Sequence, residues 1–246
     1  MLHSLSLAAM KISDLHTAAP EELNCSDEAV NDPASPCYGN AAGRPRAADK
    51  EARHLALLHT AKQLFLEKGY SKVSLEMIAR EAHVAVRTIY VKFGGKAGLL
   101  SAVITEGRAR FFADMASMET DPRSLEEILG DFAPRFLELV SMPAFVSLHR
   151  MVVAEATTTP ELATTFYEAG PLRSREQLWR LFDRPEIRAR LRPELSKEVM
   201  AVHLINCLLG DIMARTMFPA QKQPTPEELR RDAAQGLDLF LRSVLR

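Results

Sequence analysis

From Asp49 onward apolar residues recur at three- and four-residue spacing, and no segment alternates for the length of a strand. Such a chain packs helix on helix and has no face to offer a sheet, so the expected class is all-α. Leu57, Ala61, Leu64, Phe65 and Lys68 mark the first stripe, and Gly69 follows where a left-handed residue ends a helix. Ser74 then caps a short helix with Met77 and Ile78 inward and Glu76 near its positive end. After the break Ala82-His83-Val84 a third short helix runs to about Val91. Gly94-Gly95 ends it, and a fourth starts near Lys96 and passes Leu100, Ile104 and Phe111. Ser124-Leu125-Glu126-Glu127 and Thr225-Pro226-Glu227-Glu228 are capping boxes, and Thr159-Pro160-Glu161 is a start of similar chemistry. These signals predict helices near 124–141, 143–157, 160–182 (broken by Gly170-Pro171), 194–218 and 225–245.

Charge divides the chain further. Its formal net charge is −1, but residues 1–43 hold one basic and six acidic groups, whereas 44–110 hold 13 basic and six acidic. A local excess, not the total, sets the field that a phosphate backbone meets. Residues 1–43, with Pro20, Pro33, Pro36, Gly39 and Gly43, carry no sustained helical stripe. They are expected to be a disordered tail, or an overextended start with Met10 as an alternative. The opening MLHSLSLAAMK has no basic residue before its apolar stretch, and no apolar run approaches the ~20 residues of a bilayer span. Neither a signal peptide nor a membrane partner is expected. The scattered Cys25, Cys37 and Cys207 suggest no disulfide framework and fit a reducing cytoplasm. Cys25 and Cys37 with His16 match no common metal spacing, so no metal is expected.

The second and third helices, about 74–93, have the spacing of a helix-turn-helix, which offers its second helix to the major groove. Val84, Ile89 and Phe93 can anchor that helix, leaving Arg87, Thr88, Tyr90 and Lys92 outward. Arginine can bond guanine bidentately and threonine can touch a base or a thymine methyl. A tyrosine hydroxyl and a lysine ammonium suit phosphate, which fixes register without reading sequence. The same residues would also serve as the solvated face of a short core helix.

The stretch LLHTAKQLFLEKGYSKVSLEMIAREAHVAVRTIYVKFGGKAGLL, 57–100, resembles the DNA-binding domain of the TetR/AcrR family of transcriptional regulators. The match runs through Leu57, Ala61, Leu64-Phe65, Gly69-Tyr70, Ser74, Ile78-Ala79, Ala82, Val84, Thr88, Tyr90, Phe93, Lys96 and Leu99-Leu100. The resemblance implies that Ser74 and Tyr90 contact phosphate, that Arg87 and Thr88 read bases, and that Lys92 and Lys96 add phosphate grip. Gly43-Arg44-Pro45-Arg46 resembles the basic arm that often precedes this domain, so Arg44 and Arg46 join the DNA-binding set. Three departures stand out. His83 occupies a turn position usually held by glycine, with an expected strain of roughly 1 kcal/mol. Ala85 replaces the usual serine cap, with a similar expected loss of about 1 kcal/mol. Ala97-Gly98 replaces the common acidic residue and weakens the start of the fourth helix. Lys92 also stands where the family more often has His or Tyr.

HRMVVAEATTTPELATTFYEAGPLR (149–173) and HLINCLLGDIMARTMF (203–218) resemble the AefR-like branch of C-terminal domains in the same family. The resemblance implies a ligand pocket and a dimeric four-helix bundle built from the last two helices. The expected organisation is a 1–43 tail, a 44–100 DNA-binding domain, and a 101–246 ligand-binding and dimerisation domain. Candidate pocket residues are Phe111, Met115, Phe132, Phe136, Phe145, His149, Val152, Phe166, Trp179 and Phe182, each equally readable as core. His149 and Glu155 either orient a ligand or satisfy internal hydrogen bonds. Pro134, four residues after Gly130, is expected to bend its helix and open a cavity. Leu204, Leu208, Ile212, Leu237, Phe240, Leu241 and Val244 are the candidate dimer stripe, with Cys207, Gly210 and Ala214 permitting close approach. An intramolecular hairpin would use the same residues.

The expected function is a homodimeric, ligand-responsive regulator, a repressor on a pseudo-palindromic operator, released by a small, largely apolar effector. No nucleophile–base pair, glycine-rich phosphate loop or metal spacing appears, so neither an enzyme nor a cofactor is expected. Rival readings are an activator and a dimeric helical adaptor with weakened DNA binding.

Overall fold

A computed structural model describes residues 47–113, 115, 117–218 and 221–246. The expected tail, with its cysteines and His16, and the arm residues Arg44 and Arg46 lie outside the described residues. Twelve α-helices among the described residues run in the order α1 (Ala47–Lys68), α2 (Leu75–Glu81), α3 (Val86–Phe93), α4 (Lys96–Phe111), α5 (Leu125–Ser141), α6 (Pro143–Glu155), α7 (Pro160–Tyr167), α8 (Arg173–Phe182), α9 (Pro185–Arg188), α10 (Lys197–Leu209), α11 (Ile212–Met217) and α12 (Pro226–Val244). Among the described residues there is no strand, only an isolated bridge between Leu191 and Leu245. The fold is all-α, as the periodicity requires.

The starts were set locally. Ser124 accepts the Glu127 amide at 3.3 Å while the Glu127 carboxylate accepts the Ser124 amide at 3.0 Å, and Thr225 and Glu228 repeat the exchange on α12. Thr159 differs, making no side-chain cap for α7; its hydroxyl lies 3.3 Å from Ser71 Oγ instead.

Three expected interruptions came out differently. Helix α5 runs through Pro134, and the 62° bend falls where α5 meets α6, at Met142-Pro143. Gly170-Pro171 does not break the 160–182 rod. A π-helical turn, Glu168–Leu172, carries it across to α8. Proline has no N–H to give and crowds the carbonyl four residues back, and the wider turn relieves both. Finally, 194–218 divides into α10 and α11, because Gly210 adopts φ +45° and ends the first of them.

Two buried clusters organise the packing. One joins α1–α4 with Val152, Leu162, Phe166 and Ala169, so the middle of α4 packs on α7 and the π turn. The other is centred on Phe132, Phe182, Leu204 and Phe240 of α5, α8, α10 and α12. Burying each such side chain contributes about 1.5–3 kcal/mol. Helices α10 and α12 approach so closely that a Cβ on Gly236 would lie 2.4 Å from the Cys207 carbonyl oxygen. The expected line between residues 100 and 101 falls inside the continuous helix α4.

Candidate functional site

The exposed face of α3 follows from what its other face buries. Ile89 is fully buried, Val84 and Phe93 pack against the same cluster, and the Phe93 ring stacks on His54 of α1 at 5.7 Å. That anchoring turns Arg87, Tyr90 and Lys92 to solvent and leaves Thr88 half-buried beside them. Val91, 75% exposed, belongs to this face although the sequence reading passed over it. Its signal was position: it lies one turn beyond Arg87, and an exposed valine there has the chemistry to meet a thymine methyl.

The departures around the turn have their expected geometry. His83 is the only non-glycine with positive φ among the described residues, at +52°, and Ala85 caps α3 with no side-chain hydrogen bond. Gly98 has a reason the sequence did not show. A Cβ there would fall 1.8 Å from the Phe93 carbonyl oxygen, so the close passage from α3 into α4 excludes the usual acidic residue.

Ser74, Tyr90 and Lys96 come together in one shallow, open concavity with Ser71, Lys72 and Gly95. Ser74 Oγ accepts the Met77 amide at 3.2 Å, and its hydroxyl faces the Glu76 carboxylate, whose own backbone amide and that hydroxyl hold it below the ordinary carboxylate pKa. Lys96 requires a correction. Its ammonium donates to the Tyr70 and Val73 carbonyls at 3.0 and 3.1 Å and sits 4.3 Å from the Tyr70 ring centre. Two of its three protons hold the loop between α1 and α2, leaving one for any phosphate. Burial pushes its pKa down, against the opposing pull of Glu155 and Glu161.

Glu155, the last residue of α6, grips the same loop. Its carboxylate accepts the Tyr70 amide at 3.0 Å, the Ser71 amide at 2.8 Å and the Ser71 hydroxyl at 2.5 Å. Burial alone would raise this carboxyl; those hydrogen bonds and the Lys96 charge outweigh it and hold the pKa below the ordinary carboxylate value. Of the two readings left open for Glu155, internal satisfaction is the one seen.

A cavity of about 220 Å³ lies among α4, α5, α6, α8 and α10. Of the candidate pocket residues, Phe136, Phe145, His149 and Phe166 line it. Met115 and Phe132 line a separate hollow of about 180 Å³, together with Phe112. Phe111, Val152, Trp179 and Phe182 line neither, for reasons of packing. Phe111 turns its edge to Phe112, and Val152 belongs to the α1–α4 cluster. Trp179 packs on the second cluster, and Phe182 is fully buried with its ring 5.9 Å from that of Phe240. The reading from apolar residues missed the polar wall: Arg108, Ser174, Arg175 and Asn206. Two of these directly follow the π turn, whose register the sequence did not reveal.

The dimer stripe also needs correction. Leu204, Leu208, Ile212, Phe240 and Val244 are buried in the chain's own second cluster, and Leu237 and Leu241 are half-buried against it. The outward faces of α10 and α12 instead carry Val199, Val202, His203 and Leu239, the last 62% exposed. His203 shares a 2.9 Å hydrogen bond with Ser243, tying the two helices together. No single helix among the described residues is long and apolar enough to cross a membrane.

Residues 57–103 match the family model "Bacterial regulatory proteins, tetR family", and 127–243 match "AefR-like transcriptional repressor, C-terminal domain". The chain is 31% identical over 97 residues to the HTH-type transcriptional repressor ComR of Escherichia coli (strain K12), covering 39% of this chain and 44% of that one. It is 28% identical over 160 residues to the uncharacterized HTH-type transcriptional regulator YdeS of Bacillus subtilis (strain 168), covering 64% of this chain and 77% of that one. Among solved structures, the flavonoid-responsive regulator FrrA superposes with a TM-score of 0.63 at 25% identity, covering 79% of this chain and 98% of that chain.

Proposed function

Because the chain belongs to the TetR family of bacterial transcriptional regulators, which are not enzymes, we propose that it is a homodimeric repressor released from a pseudo-palindromic operator by a small molecule. The observation that carries this reading is the α3 face, where Arg87, Tyr90, Val91 and Lys92 stand exposed on a helix locked by Ile89 and Phe93. Arg87, Thr88 and Val91 read bases; Ser74, Tyr90 and Lys92 grip phosphate, with Lys96 contributing mainly by holding their loop. Residues 44–100 form the DNA-binding domain, with Arg44 and Arg46 as its arm, and 101–246 the effector and dimerisation domain. Paired recognition helices about 34–36 Å apart match successive major grooves, which one helix alone cannot do. The outward faces of α10 and α12 supply the pairing surface, a self-complementary patch with Val199, Val202 and Leu239.

Helix α6 offers a route from cavity to DNA. Phe145 and His149 face the cavity, and Glu155 at its end grips the loop that leads to Ser74. An effector that displaces α6 shifts this loop and spreads the two DNA-binding domains, by no more than its differential affinity for the two states. Likeness to FrrA, by its name a ligand-responsive regulator, supports this reading.

Fluorescence anisotropy on DNA from upstream of the chain's own gene, against scrambled DNA at several salt concentrations, tests the proposal. Preference for the native fragment is expected, with Arg87→Ala losing about 1–3 kcal/mol of discrimination. Lys92→Ala should weaken both DNAs alike and reduce the salt slope by about 1. Dimerisation without salt-sensitive DNA binding would instead identify the helical adaptor.

A further inference from the structure

The cavity among α4, α5, α6, α8 and α10 is lined by both aromatic and cationic side chains. Phe136, Phe145 and Phe166 form the ring-lined wall. Two arginines from different helices line the same cavity. Arg108 of α4 donates through Nη2 to Ser174 Oγ at 3.2 Å and to Gln177 Oε1 at 3.0 Å, both neutral acceptors. Arg175 of α8 donates through Nη1 to the Tyr167 hydroxyl at 2.7 Å and lies over that ring. Neither is ion-paired among the described residues; the neighbouring Glu176 is paired with Arg173. The Nε atoms of both arginines are buried and, among the described residues, without a hydrogen-bond partner, and so is Nδ1 of His149, which lines the same cavity.

Both arginines are half-buried, but a buried donor atom left unpaired is costly. A guanidinium Nε–H can only donate, so both arginines require an acceptor, and their charge favours an anionic one. A purely apolar ligand would leave all three nitrogens unsatisfied. The volume, about 220 Å³, lies below the roughly 300–1,000 Å³ of drug-sized pockets, which limits the body to one ring or a short hydrocarbon chain.

Building on the reading of this cavity as the effector site, we propose that its ligand is a small organic carboxylate. Its carboxylate is received by Arg108 and Arg175, with His149 beside it, and its hydrocarbon body lies against the phenylalanine wall. This narrows the expectation of a largely apolar effector to a monoanionic acid.

Isothermal titration calorimetry on the full chain with matched acid and amide pairs tests it: benzoate and benzamide, phenylacetate and phenylacetamide, hexanoate and hexanamide. The amide keeps the shape and removes the charge. At least one acid should bind, ten-fold or more tighter than its amide. Arg175→Gln should cost that acid ten-fold or more, and Arg175→Lys should restore part of the loss. Arg108→Gln, on another helix, gives an independent variant if the first does not fold. Amides binding as well as acids, no acid binding, or full acid affinity in a folded Arg→Gln variant would overturn the assignment. Operator anisotropy on the same samples separates the two readings. An acid that binds without changing operator affinity leaves the carboxylate site standing and removes its role as effector. Absence of any DNA binding removes the regulator alone.

Discussion

At the scale of single residues, the turn before α3 shows which departures from a family pattern carry physical cost. His83 holds φ +52°, a region a β-carbon disfavours, and Ala85 leaves the first turn of α3 without a side-chain acceptor. His83→Gly should therefore stabilise the chain by up to about 1 kcal/mol, offset in part by the greater freedom of glycine in the unfolded state. Ala85→Ser should add about 1 kcal/mol through the restored cap. Urea unfolding followed by circular dichroism, at fixed protein concentration, measures both; unchanged midpoints would show that the turn relaxes the strain elsewhere. These positions were legible because glycine and serine have specific backbone reasons to stand there. Val91 and Lys96 were not. A valine in a helix looks like core until its neighbours are known, and a lysine looks free until carbonyls close around it.

At the scale of elements, helix starts were readable and helix ends were less so. A capping box is a local exchange of hydrogen bonds, written within four residues, and both boxes formed. Whether proline or glycine stops a helix depends on what surrounds it. Pro134 and Pro171 sit inside continuous rods, whereas Gly210 ends one. Glu155 on α6 is the clearest case of a link set by tertiary context, since its partners are Tyr70 and Ser71. Because its folded pKa is lowered, its contribution is complete above the ordinary carboxylate value of 4.5 and is lost as pH falls through the folded value. Glu155→Gln removes that titration. As pH falls below 4.5 the unmodified chain should lose more stability than the variant. Parallel acid titrations of thermal unfolding decide it, and identical slopes would mean the loop is held by other contacts.

At the scale of the whole molecule, periodicity was enough for the fold class and insufficient for the partner surface. A stripe of leucines tells that a helix buries a face, not whether its own chain or another covers it. Leu204, Leu208 and Phe240 are covered from within, and the face left over holds Val199, Val202 and Leu239. Leu239→Asp should leave the fold intact, since the side chain is 62% exposed, while converting the proposed dimer to monomer and weakening operator binding. Light scattering after size exclusion reads the mass. A variant that remains dimeric would place the pairing surface elsewhere.

The π turn also constrains how descendants of this chain can differ in length. A π turn uses about one residue more than an α turn, so losing one residue within Glu168–Leu172 would return the rod to α geometry with α8 near its present register, whereas losing one from α7 would swing everything after it by about 100°. Arg175 would leave the cavity wall, and Leu178, Leu181 and Phe182 would leave the core in the same movement. An alignment of descendants should thus show gaps avoiding 160–182 except at the π turn, with the cavity's polar wall otherwise drifting by substitution. The exposed face of α3 lies upstream of that rod, free to diverge on its own schedule.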